Sequence, residues 1–251
     1  MAHPTEGHTV RRYDGELNNL HMLSLEMGGL VLNQTQEALD ALLHKDLQRA
    51  TRVIERDHEV NRLELRIDAE VTSVIARRGP MAQDLRTIMA VSKAVTDMER
   101  IGDEAAKIAG VVLNIYDNER ADPSVHLLRD VTHMGRLAVE MLRDSLEVLD
   151  RLDAGKAEDV IASQSEMGLE FQATFRRLVT YIMEDYRNLG HAINVVLISK
   201  ALERIGDHAK NIAEYVIYLI RGTDIRHRDE ELRGEPGISV PSRSDDGYDD
   251  D

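Results

Sequence analysis

The chain contains no cysteine and no tryptophan, and only two of its 251 residues are phenylalanine. Without cysteine there can be no disulfide, no thiolate nucleophile and no cysteine-ligated zinc or iron–sulfur centre. This absence fits a reducing compartment, and we expect the protein to be cytoplasmic. Aromatic residues make up 4% of the chain, which argues against a fold built from strands.

Proline is also scarce, since only Pro80 and Pro123 lie between residues 5 and 235. An all-β sandwich would need a turn signal roughly every 8–12 residues, and this chain lacks them. Ala, Leu, Glu, Arg, Met and Ile dominate instead, which is typical of long helices. No stretch approaches about 18 uncharged apolar residues, and residues 1–16 hold no apolar run, so we expect neither a membrane span nor a signal peptide.

The net charge of −15 argues against nonspecific nucleic-acid binding, because the phosphate backbone would be repelled. The charge is uneven: residues 223–251 hold ten acidic residues against four arginines, a net −6. The same segment contains two prolines and few large apolar residues. We therefore expect residues 223–251 to form a largely disordered acidic tail, and residues 1–12 a flexible N-terminus.

The pattern of apolar residues and breakers between these ends predicts six long helices, and hence an all-α protein. The first four cover about residues 13–44, 46–77, 81–117 and 124–152, and Asp46 is the predicted N-cap of the second. The fifth helix begins after Gly155 and ends near residue 185. The sixth is capped by Asn188 and ends at Gly222. Short connections imply that neighbouring helices are antiparallel and form bundles.

The chain also contains an internal repeat. The sequence Glu-Arg-Ile-Gly-Asp at residues 99–103 recurs at 203–207, an offset of 104 residues. Upstream, an offset of 107 aligns Leu39 with Leu146, and the three-residue difference falls in a loop. One three-helix unit therefore occurs twice, in residues 13–118 and 123–222.

The repeated motif places two carboxylates at i and i+4 beside an apolar stripe. Gly102 lies on the apolar side of its helix, where a missing side chain allows another helix to approach closely. The acid pairs are Glu99 with Asp103 and Glu203 with Asp207, and Asn211 continues the second row. Like charges at this spacing repel each other, so the repeated pair needs compensation.

Two forms of compensation are open. A cation could bridge the carboxylates, because hard metals prefer clustered oxygen ligands, and Asp57, Glu59 and Glu64 on the second helix could add oxygens. The alternative is ordinary ion pairing with Arg100, Arg204 or Lys107. The duplication of both acids favours the hypothesis of a bound metal ion.

Other motifs for catalysis are weak or absent from the sequence. Glu55 and His58 match the Glu-x-x-His of di-iron proteins, but the second unit lacks a matching pair. No phosphate loop or nucleophile motif is present.

Several segments together resemble the PhoU family of phosphate-signalling proteins, over about residues 14–228. They are the two Glu-Arg-Ile-Gly-Asp motifs with their continuations, and residues 52–55, 75–78, 84–86 and 181–185. The resemblance implies two tandem three-helix bundles related by pseudo-twofold symmetry, and a homodimer. It also implies iron or zinc held by Glu99, Asp103, Glu203 and Asp207, to which we add Asn211 and Asp57. This chain departs from the family pattern at two positions. The first motif has Lys107 where the family often has asparagine, and its ammonium could take the place of a cation. In the second unit, Gly168 occupies the position of Asn61 in the first unit.

The family resemblance implies a regulator rather than an enzyme. Such a protein couples a phosphate-specific ABC transporter to a sensor histidine kinase, restrains both when phosphate is plentiful, and reaches the membrane only through these partners. Two alternatives remain: a metal-dependent hydrolase or oxidase that uses the same carboxylates, and a structural dimerisation bundle whose acids are ordinary surface residues.

Overall fold

A computed structural model describes residues 11–116 and 125–222, which form six α-helices and no strand. The helices are α1 (Arg11–His44), α2 (Leu47–Arg78), α3 (Ala82–Tyr116), α4 (Val125–Arg151), α5 (Ala154–Glu184) and α6 (Leu189–Arg221), with a 3-10 turn at Tyr186–Asn188. The all-α prediction is confirmed. The expected flexible N-terminus ends two residues earlier than predicted, because α1 begins at Arg11. Residues 1–10, the start of the second unit at Pro123 and the acidic tail lie outside the described residues. No described helix is long and apolar enough to cross a membrane.

Several predicted helix ends have the expected capping contacts. The Asp46 carboxylate accepts a hydrogen bond from the Arg49 backbone N–H at 2.9 Å and begins α2. Gly79 ends the same helix with φ 56°, and Gly222 ends α6 with φ 72°. A side chain is disfavoured at such left-handed angles, so glycine suits both positions.

One predicted boundary is wrong and another has an added turn, and in both places an aspartate caps the segment earlier. Gly155 does not separate α4 from α5 but lies inside α5, where its N–H donates to the Asp153 carboxylate at 2.9 Å. A 3-10 turn at Tyr186–Asn188 precedes α6, and the predicted cap Asn188 falls within this turn. The Asp185 carboxylate accepts the Arg187 N–H at 2.9 Å and begins that turn.

The six helices pack as two three-helix units with a shared core. Helices α1, α2 and α3 contact one another, as do α4, α5 and α6, and the units join through α3 with α6 and α1 with α4. Within the described residues, α2 and α5 each contact only helices of their own unit. The motif helices α3 and α6 are therefore central, and each faces an outer helix on one side.

Reciprocal contacts at the α1–α4 junction reflect the internal repeat. A Cβ atom on Gly28 would lie 2.5 Å from Leu146 Cδ2, and one on Gly135 would lie 2.7 Å from Leu39 Cδ2. Gly135 and Leu146 are the residues that the offset of 107 pairs with Gly28 and Leu39. Each unit thus inserts the same leucine against the same glycine of the other, as a pseudo-twofold axis requires.

Candidate functional site

The first Glu-Arg-Ile-Gly-Asp motif lies where three helices of the first unit meet. Gly102 on α3 is fully in the core, and a Cβ atom there would lie 3.3 Å from both Asp57 Oδ1 and Val60 Cγ1 on α2. It would also lie 3.5 Å from Gln34 Oε1 on α1. The predicted close approach at this glycine is confirmed, and it brings polar atoms of α1 and α2 against the motif.

Three buried oxygen atoms at this junction have no hydrogen-bond partner among the described residues: Gln34 Oε1, Asp57 Oδ1 and Asn61 Oδ1. Of the two amide nitrogens, Gln34 Nε2 donates to the Val53 carbonyl at 3.1 Å. Asn61 Nδ2 stays within the junction and donates to Asp57 Oδ2 at 3.5 Å. Buried acceptors without a donor are rare and destabilising. All three atoms are ligands of the type that hard cations prefer.

The electrostatics of the same junction also favour a cation. Burial, then the charge of Asp103, raises the pKa of the Asp57 carboxyl above its ordinary value. Burial and Asp103 likewise raise the pKa of Glu99, and burial and Glu99 raise the pKa of Glu64. Arg100 opposes this effect from 3.6 Å, Nε to Glu99 Oε2. The site therefore holds more negative charge than its own arginine compensates.

Lys107 does not compensate the first motif in the way the sequence predicted. Its Nζ lies 2.9 Å from Glu104 Oε1, one helical turn away and on the side of α3 that faces α6. Glu104 is only 3% exposed and also binds Arg204 at 2.8 Å, so it attracts both cations into the junction between the units. The Lys107 ammonium therefore pairs with Glu104, and its charge opposes the raised pKa of Glu99 less than the charge of Arg100 does.

The second motif is compensated by protein groups. A Cβ atom on Gly206 would lie 2.9 Å from Gln164 Oε1, so the close approach recurs. Here, however, Gln164 Nε2 donates a hydrogen bond to Asp207, and Lys200 forms an ion pair with Glu203. Burial, then the charge of Glu203, still raises the pKa of Asp207. In the second unit an amide and an ammonium thus contact the motif acids, whereas in the first unit Glu99 has only the more distant Arg100 at 3.6 Å.

Asn211 does not join Glu203 and Asp207. Its Nδ2 donates to Asp97 Oδ1 on α3 at 3.0 Å, and His208 Nδ1 lies 2.6 Å from the same oxygen. Residues spaced by four drift about 40° around a helix of 3.6 residues per turn, so Asn211 has turned from α5 toward α3. The side-chain amide of Asn211 thus binds Asp97 rather than Glu203 or Asp207, and a role for Asn211 in the second metal site stays a prediction.

The residues facing each motif explain this difference. At the offset of 107, Gln34, Asp57 and Asn61 correspond to Met141, Gln164 and Gly168. The second unit therefore keeps one of the three oxygen ligands, Gln164 Oε1, which is also buried without a hydrogen-bond partner among the described residues. Glu59, also expected to add an oxygen, is exposed and lines a groove between α1 and α2.

No three His, Cys, Asp or Glu side chains of residues 11–116 and 125–222 converge as a metal-binding group. A cation in the first unit would therefore need the amide oxygens of Gln34 and Asn61 as well as carboxylates. Gln34 was not among the predicted site residues. The available signal was a polar residue within the buried α1 stripe that runs from Val31 to Ala38.

Comparison with known proteins gives the family. The PhoU domain model matches residues 24–112 and 131–216. The chain belongs to the PhoU family. The two matched segments fall within the two structural units, and each contains one motif and its facing glutamine, Gln34 or Gln164.

Relatives and solved PhoU structures match nearly the whole chain. The phosphate-specific transport system accessory protein PhoU homolog of Pseudomonas aeruginosa is 41% identical over 220 residues, 88% of this chain and 90% of that protein. The accessory protein PhoU of Escherichia coli is 34% identical, with the same coverages of 88% and 90%. The crystal structure of PhoU from Pseudomonas aeruginosa matches with TM-score 0.81 and 40% identity, over 84% of this chain and 100% of that one. The crystal structure of PhoU from Streptococcus pneumoniae matches with TM-score 0.76 and 29% identity, over 84% of this chain and 98% of that one.

Proposed function

We propose that this PhoU-family protein is a non-enzymatic cytoplasmic regulator of phosphate uptake. In this role it couples a phosphate-specific ABC transporter, through the ATPase subunit, to a sensor histidine kinase, and it restrains both when phosphate is sufficient. The observation that carries the proposal is the identity of 34–42% over 220 residues to relatives named as accessory proteins of the phosphate-specific transport system.

We further propose that the first unit binds a divalent or ferric ion, with iron and zinc as the candidates. Gln34, Asp57 and Asn61 would hold it from α1 and α2, and Glu99 and Asp103 from α3. The unpartnered buried oxygens and the raised pKa values of Asp57 and Glu99 support this donor set. The bound ion supplies positive charge that offsets the repulsion among these acids. Glu203 and Asp207 form a second, weaker site, because Gln164 and Lys200 already engage them.

The bound and empty states would differ in how firmly the first unit's helices are held together. Without an ion, the acids of α2 and α3 repel each other across the Gly102 contact. With these charges neutralised, the same side chains tie α1, α2 and α3 together. A partner that recognises this three-helix surface would then respond to the state of the site.

Deleting the gene in its own organism and assaying alkaline phosphatase in phosphate-rich medium tests the regulatory proposal. We expect derepressed phosphatase, restored to the basal level by the wild-type gene. Complementation with Asp103→Asn and Asp207→Asn, checked for equal protein abundance, should show poorer restoration by Asp103→Asn. Unchanged phosphatase in the deletion strain would overturn the regulatory role, and full restoration by both variants would separate that role from metal binding.

The enzymatic alternative has its own test. Protein loaded with zinc or iron is incubated with a chromogenic phosphate monoester, and turnover is compared with that of Asp103→Asn. We expect no turnover above the metal ions alone. Metal-dependent turnover by the wild type that the substitution abolishes would replace the regulator with a hydrolase.

A further inference from the structure

A groove of about 300 Å³ lies at the junction between α3 and α6, where the two units meet. Its lining combines basic side chains, two hydroxyl groups and one carboxylate: Lys93, Thr96, Asp97, Arg100, His208 and Tyr215. None of the four motif acids lines it, so the groove is distinct from the sites described above. Its volume is at the lower end of the range for small-molecule pockets.

Contacts across the junction place the side chains of both helices in one row. Asp97 contacts Asn211, Glu104 contacts Arg204, and the Lys93 ammonium lies 5.8 Å from the centre of the Tyr215 ring. These pairs are separated by equal numbers of residues on the two helices, as an antiparallel arrangement requires. The same register sets Arg100 level with His208, and both of these residues line the groove.

This row carries an excess of positive charge, although the chain has a net charge of −15. Lys107 and Arg204 both bind Glu104. Lys93 contacts the Tyr215 ring and has no ion-pair partner among the described residues. Arg100 has only Glu99, at 3.6 Å, which is too long for a hydrogen bond. Two cations of the groove are therefore available to an anion.

The carboxylate of Asp97 is the group in this groove that an ordinary anion would avoid. Asp97 is 6% exposed, and its Oδ1 receives both neighbours, His208 Nδ1 at 2.6 Å and Asn211 Nδ2 at 3.0 Å. Its Oδ2 accepts no hydrogen bond from the described residues. A carboxylate oxygen repels an anion that has no proton, but it accepts a hydrogen bond from an anion that carries a hydroxyl group.

We propose that this groove binds inorganic phosphate. The ion HPO4²⁻ offers unprotonated oxygens to Lys93 and Arg100, and it keeps one P–OH group that donates to Asp97 Oδ2. Sulfate has no such group at about pH 8, and neither has a phosphate monoester, whose second pKa is about 6. The Asp97 carboxylate thus selects inorganic phosphate over both.

The second unit lacks these groups at the equivalent place. The offset of 104 replaces Lys93 by Leu197 and Asp97 by Ala201, and it pairs Glu104 with His208. The equivalent place therefore has neither the free lysine nor the hydrogen-bond acceptor, and it holds a buried acid where the groove holds a histidine. The helix packing that the two units share thus does not require the charges of the groove.

Equilibrium dialysis of the full chain against radiolabelled phosphate at about pH 8 tests the proposal. The chelator EDTA is present, so that phosphate cannot bind through a metal ion at the motifs. We expect one phosphate per chain with a dissociation constant on the order of 100 µM. Sulfate and glycerol 3-phosphate should compete at least tenfold more weakly. No binding at about 10 mM phosphate, or competition by sulfate as strong as that by unlabelled phosphate, would refute the proposal.

A substitution in the groove and a matched control locate the ligand. Lys93→Leu gives the first unit the residue of the second, and it should weaken phosphate binding at least tenfold. Arg66→Ala is the control, because it removes an exposed arginine of α2 outside the groove, and it should leave the dissociation constant unchanged. Equal effects of the two variants would show that phosphate responds only to the overall charge, and the groove would then not be the site.

A second variant tests the basis of the selectivity. Asp97→Asn replaces the acceptor by an amide that can also donate, so sulfate should bind within about threefold of phosphate. Circular dichroism checks that the variant is folded. If folded Asp97→Asn keeps the preference for phosphate, the role assigned to Asp97 is wrong. The inference does not rest on the proposed regulatory function, since these measurements use purified, metal-free protein.

Discussion

The two units carry the same five-residue motif, yet the motif has different surroundings in each. In the first unit its acids face three buried oxygens without donors, from Gln34, Asp57 and Asn61. In the second unit Asp207 accepts a hydrogen bond from Gln164, and Glu203 pairs with Lys200. The chemistry of a duplicated motif is therefore set by the helices that face it, as much as by its own residues.

The first way to test this difference is the metal affinity, where we expect the largest effect. Asp103→Asn should weaken Zn²⁺ binding by at least about tenfold, because it removes a carboxylate from the more oxygen-rich site. The matched variant Asp207→Asn should change it by less than about threefold. Isothermal titration calorimetry at one pH measures both. Equal losses would mean that the two sites bind alike and that the comparison fails.

Glycine substitutions at the α1–α4 junction test the reciprocal glycine–leucine packing that the two units share. Gly28→Ala and Gly135→Ala should each destabilise the protein by about 2 kcal/mol, since each methyl group would overlap a packed leucine. Gly29→Ala is the control, because nothing lies within 4 Å of its Cβ position, and it should be neutral or stabilising. Urea unfolding measures all three. A difference above about 1 kcal/mol between the first two would contradict the pseudo-twofold relation.

The motif glycines should respond unequally to the same substitution. Gly102→Ala presses on Val60, a buried side chain in the core, and should cost about 1–2 kcal/mol. Gly206→Ala meets first the far end of the flexible Gln164 side chain and should cost less. Gly110→Ala on α3, with open space at its Cβ position, is the control. Thermal unfolding in the presence of chelator ranks them, and the reverse order would refute the packing described here.

The pH dependence of stability gives the smallest expected effect. Asp57, Glu64 and Glu99 have pKa values above their ordinary ones in the folded state, so the folded protein binds protons more readily than the unfolded chain. Their repulsion is fully present above these folded-state pKa values and is lost as the pH falls toward the unfolded-state ones. Metal-free protein should therefore gain stability from these three groups as the pH falls from 7 toward their unfolded-state pKa values.

A substitution that gives the first unit the residue of the second tests the source of this gain. Asp57→Gln should be more stable than the wild type at pH 7 without metal, and most of the gain on acidification should disappear. Asp207→Asn is the comparison. Its stability should change less with pH, because Asp207 is the carboxyl with a raised pKa at the second motif, whereas the first motif has three. Chemical denaturation at several pH values measures both. Loss of stability in Asp57→Gln at pH 7 would contradict the repulsion.

Much of the fold follows from the sequence, because helix ends and the repeat are local patterns. Asp46 and Gly79 fix their helix ends by their own hydrogen bonding and backbone freedom, and both were predicted. Asp153 and Asp185 were missed as caps because the neighbouring Gly155 and Asn188 are also common at helix ends.

The site was less predictable, because it depends on which side chains face each other across helices. Position along the chain placed Asn211 in the acidic row and Lys107 beside the first motif. The junction between α3 and α6 draws both away, to Asp97 and Glu104. Methionines at helical spacing also differ in burial, since Met27 and Met98 are buried. Met22, Met89 and Met183 are exposed, because their sides of the helices face no other helix.

The most direct test of the claim that the first unit is the metal-binding one is crystallographic. Crystals of the full chain grown with zinc are measured on both sides of the zinc absorption edge, and the anomalous difference map locates the ion. We predict the strongest peak beside Gly102, among oxygens of Gln34, Asp57 and Asp103. A strongest peak beside Gly206, or none at either motif, would contradict this account.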